Sequence, residues 1–464
     1  MSCNQQTQNN SLAYPFPNFP SYNGYPYANY PGLGYPGSPC GFNPKGLKKK
    51  SHRRCKDKKC KKCIQVVPIP INTCDPCGGG GGVGACGFPG PFDSGCSDPC
   101  GRKDPCPLKS FCDPGLANTC APTPIVNPCG PRRAVTTWKV NYLVSNRSNR
   151  AAHQDIELVD PWGLVLYNNQ LWVVNNGRDN ITNYDLFGNK LLDTITLRDA
   201  AHNAAHQTGI VVNCGGGFPV SNGNITKSGL FIIAGEHGTV HTFNPLVDSL
   251  NSFLVINQQL TGRISVFKGL AVANNTLYLP DFFQGIVHVF DSSYLRLIGF
   301  HFIDGDSSDP IPPDFGPNNI VYIGCYLYVL WARRDPNVTI HDLDGPGHGY
   351  ISVFNLDGSF VRRFTSRGVL NSPWAMIPAP CECGFPPGSF LVGNNGDGRI
   401  NVFDCNGRFV GPLLNQAGLP IILEGLWALA AHYTEFSEIF FTASQDEDTE
   451  GILGSLTKDQ IIYF

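Results

Sequence analysis

The chain has 464 residues, 42 % hydrophobic and only 15 % charged, with a formal net charge of −2. That length exceeds the needs of one ordinary globular core. No run approaches the ~20 apolar residues of a spanning helix, and MSCNQQTQNNSLAYPFPNFP lacks the basic start and apolar stretch of a secretory signal. The small net charge hides a split: residues 1–133 carry 16 Lys/Arg against 6 Asp/Glu, whereas residues 134–464 carry 18 against 30. Such a basic front part attracts acidic partners, including the rest of its own chain or a neighbouring copy.

Residues 1–44 form a Tyr/Pro/Gly-rich low-complexity segment, exemplified by SLAYPFPNFPSYNGYPYANYPGLGYPG. Aromatics on a Pro/Gly backbone stay extended and cannot build a packed core. A linker and an adhesive assembly segment both fit. Residues 45–133 are first basic and then Cys-rich. KGLKKKSHRRCKDKKCKKC places Lys48, Lys49, Lys50, Arg53, Arg54, Lys58, Lys59, Lys61 and Lys62 in one run, a candidate polyanion-binding stretch with no folded nucleic-acid-binding motif around it.

Fourteen of the 19 cysteines precede residue 130. Cys60-x2-Cys63 and Cys74-x2-Cys77 could supply four thiolates to zinc, although the gap between the pairs is shorter than the usual ribbon spacing. Cys55, Cys96, Cys100, Cys106, Cys112, Cys120 and Cys129 sit among Asp-Pro and Pro-Cys-Gly turn steps. That recurrence suits disulfides or cross-links better than a single zinc site, and implies an oxidising setting.

From residue 134 to 464 short strand-like runs alternate with Gly/Asn/Asp turns, and no long helical periodicity appears. Six units recur, starting near Trp162, Gly209, Gly269, Pro317, Trp374 and Leu426, 47–60 residues apart. Four short strands at that period describe a propeller blade. The expected fold is therefore all-β: a six-bladed β-propeller preceded by a largely irregular, Cys-rich segment. TTWKVNYLV, residues 136–144, is the expected N-terminal strand that completes the last blade. Trp162, Trp374 and Trp427 at the blade starts read as packing residues.

The stretches LVSNRSNRAAHQDIELVDPWGL, FKGLAVANNTLYLPDFFQGIVHVFD, LNSPWAMIPAP, FLVGNNGDGRINVFD, EGLWALA and FTASQDEDTEGILG resemble an NHL-repeat-like β-propeller family of uncharacterised, often secreted bacterial proteins. Some of its members carry a PEP-CTERM sorting tail. The resemblance covers roughly residues 136–464 and implies the fold without an activity. The chain departs from it in ending DQIIYF and in its Cys-rich front segment.

In a four-stranded blade the turn after the second strand falls on one rim near the axis. The candidates read from those turns are Asn176, Glu236, His237, Asp281, Arg334, Asp397 and Asp446, with Asp155 ahead of the first blade. Converging carboxylates and Asn carbonyls could hold Ca²⁺ in a lactonase-like hydrolytic funnel with His237 as base. The same residue types also recur simply because β-turns favour them, and Arg334 fits an anion or an internal ion pair better than a cation ring. His202 and His206, at i and i+4, could share a metal only on a helix, and their surroundings read as a loop. No nucleophile elbow, P-loop or dinucleotide glycine motif appears in a strand-to-helix context. The leading expectation is a structural or interaction protein of an extracellular layer or virus particle surface, self-associating or joining other structural proteins through its front segment. A metal-dependent propeller hydrolase and polyanion binding through residues 45–63 are the alternatives.

Overall fold

The computed structural model describes residues 134–463 apart from 198–205, 381–384, 387 and 433–437. Six antiparallel sheets are arranged as blades. Blade 1 comprises Pro161–Tyr167, Gln170–Asn175, Asn180–Asp185 and Ile195–Thr196. Blade 2 comprises Gln207–Val212, Phe231–Gly235, Thr239–Phe243 and Phe253–Asn257, with a hairpin, Pro219–Ser221 and Thr226–Ser228, inserted after its first strand. Blade 3 runs through Ala271–Ala273, Thr276–Asp281, Ile286–Asp291 and Arg296–Leu297, and blade 4 through Phe315–Ile323, Tyr326–Arg333, Gly349–Phe354 and Phe360–Ser366. Blade 5 has Pro373–Pro378, Phe390–Asn394, Ile400–Phe403 and Phe409–Pro412. The first strands touch one another in cyclic order, 1 to 6 and back to 1, so they form the inner wall of a ring.

Blade 6 closes that ring. Its strands Leu426–His432, Glu438–Gln445 and Glu450–Tyr463 come from the end of the described chain, and its fourth is Ala134–Ser145 from the beginning. Thr136 pairs with Ile461 and Ser145 with Ile452, so the expected N-terminal strand completes the last blade. Closure removes the open edges that a split sheet would expose.

The local sequence explains the repeat. In blades 1 to 5 the third strand carries an aromatic followed by Asp or Asn at its end. The aromatics Tyr184, Phe243, Phe290, Phe354 and Phe403 are buried between blades, each contributing about 1.5–3 kcal/mol of apolar burial. The acidic partner turns the chain: Asp185 accepts from the backbone N–H groups of Phe187 and Asn189, and Asp404 from those of Asn406 and Arg408, all at 2.9 Å. These are Asx turns, in which the side chain satisfies N–H groups that the turn leaves unpaired.

At its start every inner strand carries one residue more than its partner, as between Pro161 and Leu164 opposite Asn175 and Val173. The same bulge occurs in blades 2, 4, 5 and 6, and between Phe267 and Ala271 opposite Asp281 and Tyr278 in blade 3. Bulges re-aim side chains. Here they accompany a crowded axis: a Cβ on Gly163 would lie 2.6 Å from the Thr208 carbonyl oxygen of the next inner strand. Only glycine allows that approach.

Candidate functional site

One backbone hydrogen bond defines the rim in all six blades. A residue at or just after the end of the second strand donates its N–H to a carbonyl ahead of the first: Asn176 to Asp160, Glu236 to His206, Phe282 to Val266, Arg334 to Asp314, Asn395 to Ser372 and Ser444 to Gly425, at 2.8–3.0 Å. Asn176, Glu236 and Arg334 therefore occupy equivalent positions. Asp281 lies one residue before its rim position, and Asp397 and Asp446 lie two after theirs.

The axis beneath this rim is filled. Trp162 and Trp427 stack with centroids 3.5 Å apart, and Trp374 meets Trp427 edge-on at 5.8 Å. Trp374 also donates its Nε1–H to the Lys268 carbonyl at 3.0 Å, linking blades 5 and 3. Lys268 is 1 % exposed. Its ammonium lies 4.6 Å from the Phe282 ring centroid and 2.8 Å from Asp342, a cation–π contact combined with a buried ion pair. Asp342 belongs to the long connection between the second and third strands of blade 4. Asp344 of the same connection approaches Gly396 in blade 5. This connection thus reaches both blade 3 and blade 5 at the mouth of the channel.

Carboxylates from several blades meet at that mouth. Burial pushes the Asp160 carboxyl well above the usual carboxylate range, and the charges of Asp448 and Glu236 add to the effect. Hydrogen bonds from Ser444 and from Trp162 Nε1 (2.9 Å) oppose it. Asp448 and Asp344 keep exposed surface, yet partial desolvation raises both, helped by Glu236 and opposed by His341 for Asp448, and helped by Asp342 and Asp397 for Asp344. For Asp342, burial alone would raise the carboxyl, but the charge and hydrogen bond of Lys268 overcome it and hold the group low. Glu236 keeps a buried Oε1 without a partner, and both amide atoms of fully buried Gln207 are likewise unpaired. The mouth is thus an acidic, partly desolvated cluster beside the buried Lys268 ammonium. It can store protons and accept hydrogen-bond donors.

The other expected site residues have local duties. Asn176 Oδ1 lies 3.3 Å from His206 Nδ1, and the His206 and His237 rings pack edge to face at 5.0 Å. Asp281 is fully buried; its Oδ1 accepts from the N–H groups of Val266 and Gln284, and its Oδ2 lies 3.1 Å from His288 Nε2. Arg334 donates to the carbonyls of Phe282 (2.7 Å) and Pro313 (3.0 Å), tying blade 4 to blade 3. Asp397 accepts from Asn394 Nδ2 (3.0 Å) and pairs with Arg399 (2.9 Å) inside its own turn. Asp446 is exposed and pairs with Arg147. Asp155 accepts from Tyr184 (2.8 Å) and pairs with Lys190 (2.9 Å), so its carboxylate is engaged by the third strand of blade 1 and the turn after it. Among the eight candidates, Glu236 and Asp397 act electrostatically on the carboxylates at the mouth. Asp160, Lys268, Asp342, Asp344 and Asp448 escaped sequence reasoning. The unusual length of HDLDGPGHG before a strand was the available signal for Asp342 and Asp344.

The candidate cysteines Cys55, Cys60, Cys63, Cys74, Cys77, Cys96, Cys100, Cys106, Cys112, Cys120 and Cys129, the basic run from Lys48 to Lys62, and His202 lie outside the described residues. Cys214 and Cys325 are disulfide-bonded. Among the described residues no three His, Cys, Asp or Glu side chains are grouped so as to hold a metal ion, and no helix is long and apolar enough to cross a membrane.

Replacing Asp160 by Asn retains an oxygen to accept from Ser444 and Trp162. A raised folded-state carboxyl contributes stability that is fully present below its unfolded value, about pH 4, and lost as pH rises through the folded value. Asp160→Asn should therefore gain stability relative to the parent as pH rises from acid to neutral. Thermal melts across that range check this; a difference independent of pH would refute it.

The fold and site define a six-bladed β-propeller whose axis is filled by tryptophans and a buried Lys–Asp pair beneath an acidic mouth. The chain belongs to one family with two proteins of Acanthamoeba polyphaga mimivirus, uncharacterized protein L690 and uncharacterized protein R648. It is 68 % identical to the first over 366 residues, 79 % of this chain and 97 % of that protein. It is 63 % identical to the second over 383 residues, 82 % and 94 % of the respective chains. No protein-family model matches the chain. Among solved structures, a Bacteroides thetaiotaomicron structural genomics protein of unknown function is similar at 11 % identity and a TM-score of 0.46, over 70 % of this chain and 76 % of that one. That likeness carries nothing about activity.

Proposed function

We propose that the chain is a structural and interaction protein of a virus particle or extracellular layer. The propeller is its binding or packing body, and the basic, Cys-rich residues 1–133 tether or cross-link it. The observation that carries this reading is the filled axis. A propeller that acts on a small molecule needs an accessible concave site, and here three tryptophans and the Lys268–Asp342 pair occupy the channel. The disulfide-bonded Cys214 and Cys325 support an oxidising setting, since disulfides persist at virion and cell surfaces. The mimivirus origin of the relatives agrees with a particle. The opposite charge of residues 1–133 and 134–464 favours contacts between copies, weakened by salt. We infer that the repeats are NHL-like, from motifs such as FKGLAVANNTLYLPDFFQGIVHVFD and FLVGNNGDGRINVFD. Among the described residues the carboxylates and histidines do not assemble into a metal ligand set.

The test is extraction of the native assembly. The chain should run as cross-linked species on non-reducing gels and collapse to monomer with reductant, while high salt alone should not release it. Monomeric migration without reductant, together with release by salt alone, would overturn the proposal.

A further inference from the structure

Away from the axis, blades 2 and 3 border a cavity of about 320 Å³ lined by Gln258, Thr261, Arg263, Gln284, His288 and Arg296. That is the lower end of the size range for small-ligand sites. Its walls come from the segment leaving blade 2, the turn after the second strand of blade 3, and the third and fourth strands of blade 3. None of the six side chains is a carboxylate. Arg263 and Arg296 are both exposed, and neither forms an ion pair among the described residues.

The inner wall is built with more care than an accidental surface dent. The His288 side chain is 1 % exposed. Its Nε2 lies 3.1 Å from Asp281 Oδ2, and Asp281 is itself held by the N–H groups of Val266 (3.1 Å) and Gln284 (3.0 Å). Gln284 donates to the Ile264 carbonyl (2.9 Å) and to Ser265 Oγ (2.8 Å), which pins the turn. The imidazole is therefore oriented from behind, while its Nδ1 is buried and without a partner. Buried polar atoms are rarely left unpaired unless water, an ion or a ligand completes them. Two unpaired guanidinium groups and a lining histidine whose Nδ1 is buried and unpartnered make a donor-rich site with no carboxylate in its lining.

We propose that this cleft binds the phosphate group of a ligand. Guanidinium groups match phosphate oxygens in charge and geometry, and such charge-assisted bonds are the strong ones. Arg263 and Arg296 grip the oxygens from the open side, and His288 Nδ1 meets a further oxygen from the buried side. One proton lies between that oxygen and Nδ1. With Nε2–H directed at Asp281, Nδ1 either accepts from a protonated phosphate oxygen or, as imidazolium, donates to an unprotonated one. Exposed aliphatics flank the lining residues in sequence: Leu260 beside Thr261, Ile264 beside Arg263 and Leu295 beside Arg296. The phosphate can accordingly come as the free ion or as the headgroup of an anionic lipid.

The test uses the full chain in two arms: calorimetric titration with inorganic phosphate, and flotation with phosphatidylcholine vesicles with and without phosphatidic acid. Binding in at least one arm is expected, weakened about tenfold or more in an R263Q/R296Q double variant and unchanged in R408Q, an exposed arginine in a turn of blade 5. Phosphate binding without flotation assigns a soluble source. Flotation that needs both phosphatidic acid and the two arginines assigns a lipid source. No binding in either arm, or binding indifferent to the double variant, overturns the proposal. Both arginines are exposed, so the double variant should fold.

Discussion

Trp138→Ala should destabilise the propeller by about 3–5 kcal/mol, the usual cost of removing a fully buried large aromatic. Trp138 is 0 % exposed and sits in the core shared by blades 5, 6 and 1. Its ring stacks on Phe385 at 6.4 Å. It lies on Ala134–Ser145, the strand that joins the beginning of the described chain to its end. Loosening this strand weakens the one joint in the ring that no chain connection backs up. The unpartnered Nε1 of Trp138 is lost as well, which offsets part of the cost. Lys139→Ala, one residue along on the exposed face, should change stability by no more than about 0.5 kcal/mol. Urea unfolding of the two variants decides it: equal midpoints would mean that the closing strand does not hold the ring.

The second large effect concerns the ion pair at the axis. Removing either partner alone, in Asp342→Leu or Lys268→Met, should cost about 3–5 kcal/mol, because an uncompensated charge stays buried. The double variant should recover most of the loss, since two apolar side chains of similar volume need no desolvation of charge. A double-mutant cycle measures that coupling; additive single effects would refute it.

The two members of this cycle also differ in pH dependence. In the parent, Lys268 holds Asp342 low, so the pair's contribution is present above the unfolded carboxyl value, about pH 4, and is lost as pH falls through the lower folded value. In Lys268→Met the opposing charge is gone and burial raises the Asp342 carboxyl. That variant should lose stability as pH rises, the reverse of the parent.

The blades were legible in the sequence because their signals are local. An aromatic followed by Asp or Asn serves two short-range needs, a buried ring between sheets and a side-chain acceptor for the turn, and both recur at the blade period. Trp162, Trp374 and Trp427 could be read as packing residues for the same reason. The rim was harder. Asn176, Glu236 and Arg334 occupy equivalent positions, but Asp281, Asp397 and Asp446 are offset by one or two residues. Turns differ in length, and a period in sequence is not a period in space.

Function-bearing geometry was mostly illegible, for reasons of distance along the chain. Lys268 meets Asp342 across 74 residues, and Asp160 meets Ser444 across 284. No spacing rule links such partners. His288 reads as one strand residue among others until the fold sets Asp281 behind it and two arginines around its cavity.

The sequence by itself determined the strand–turn grammar, the number of blades and the strand that closes them, because each follows from side chains acting on their neighbours. Only the tertiary structure decided that the axis is filled rather than open. It alone gathered acids from separate blades at one mouth and left a donor-lined cleft between blades 2 and 3. The physical reason is ring closure: it brings together side chains far apart in the chain, and their burial and charge depend on who arrives opposite them.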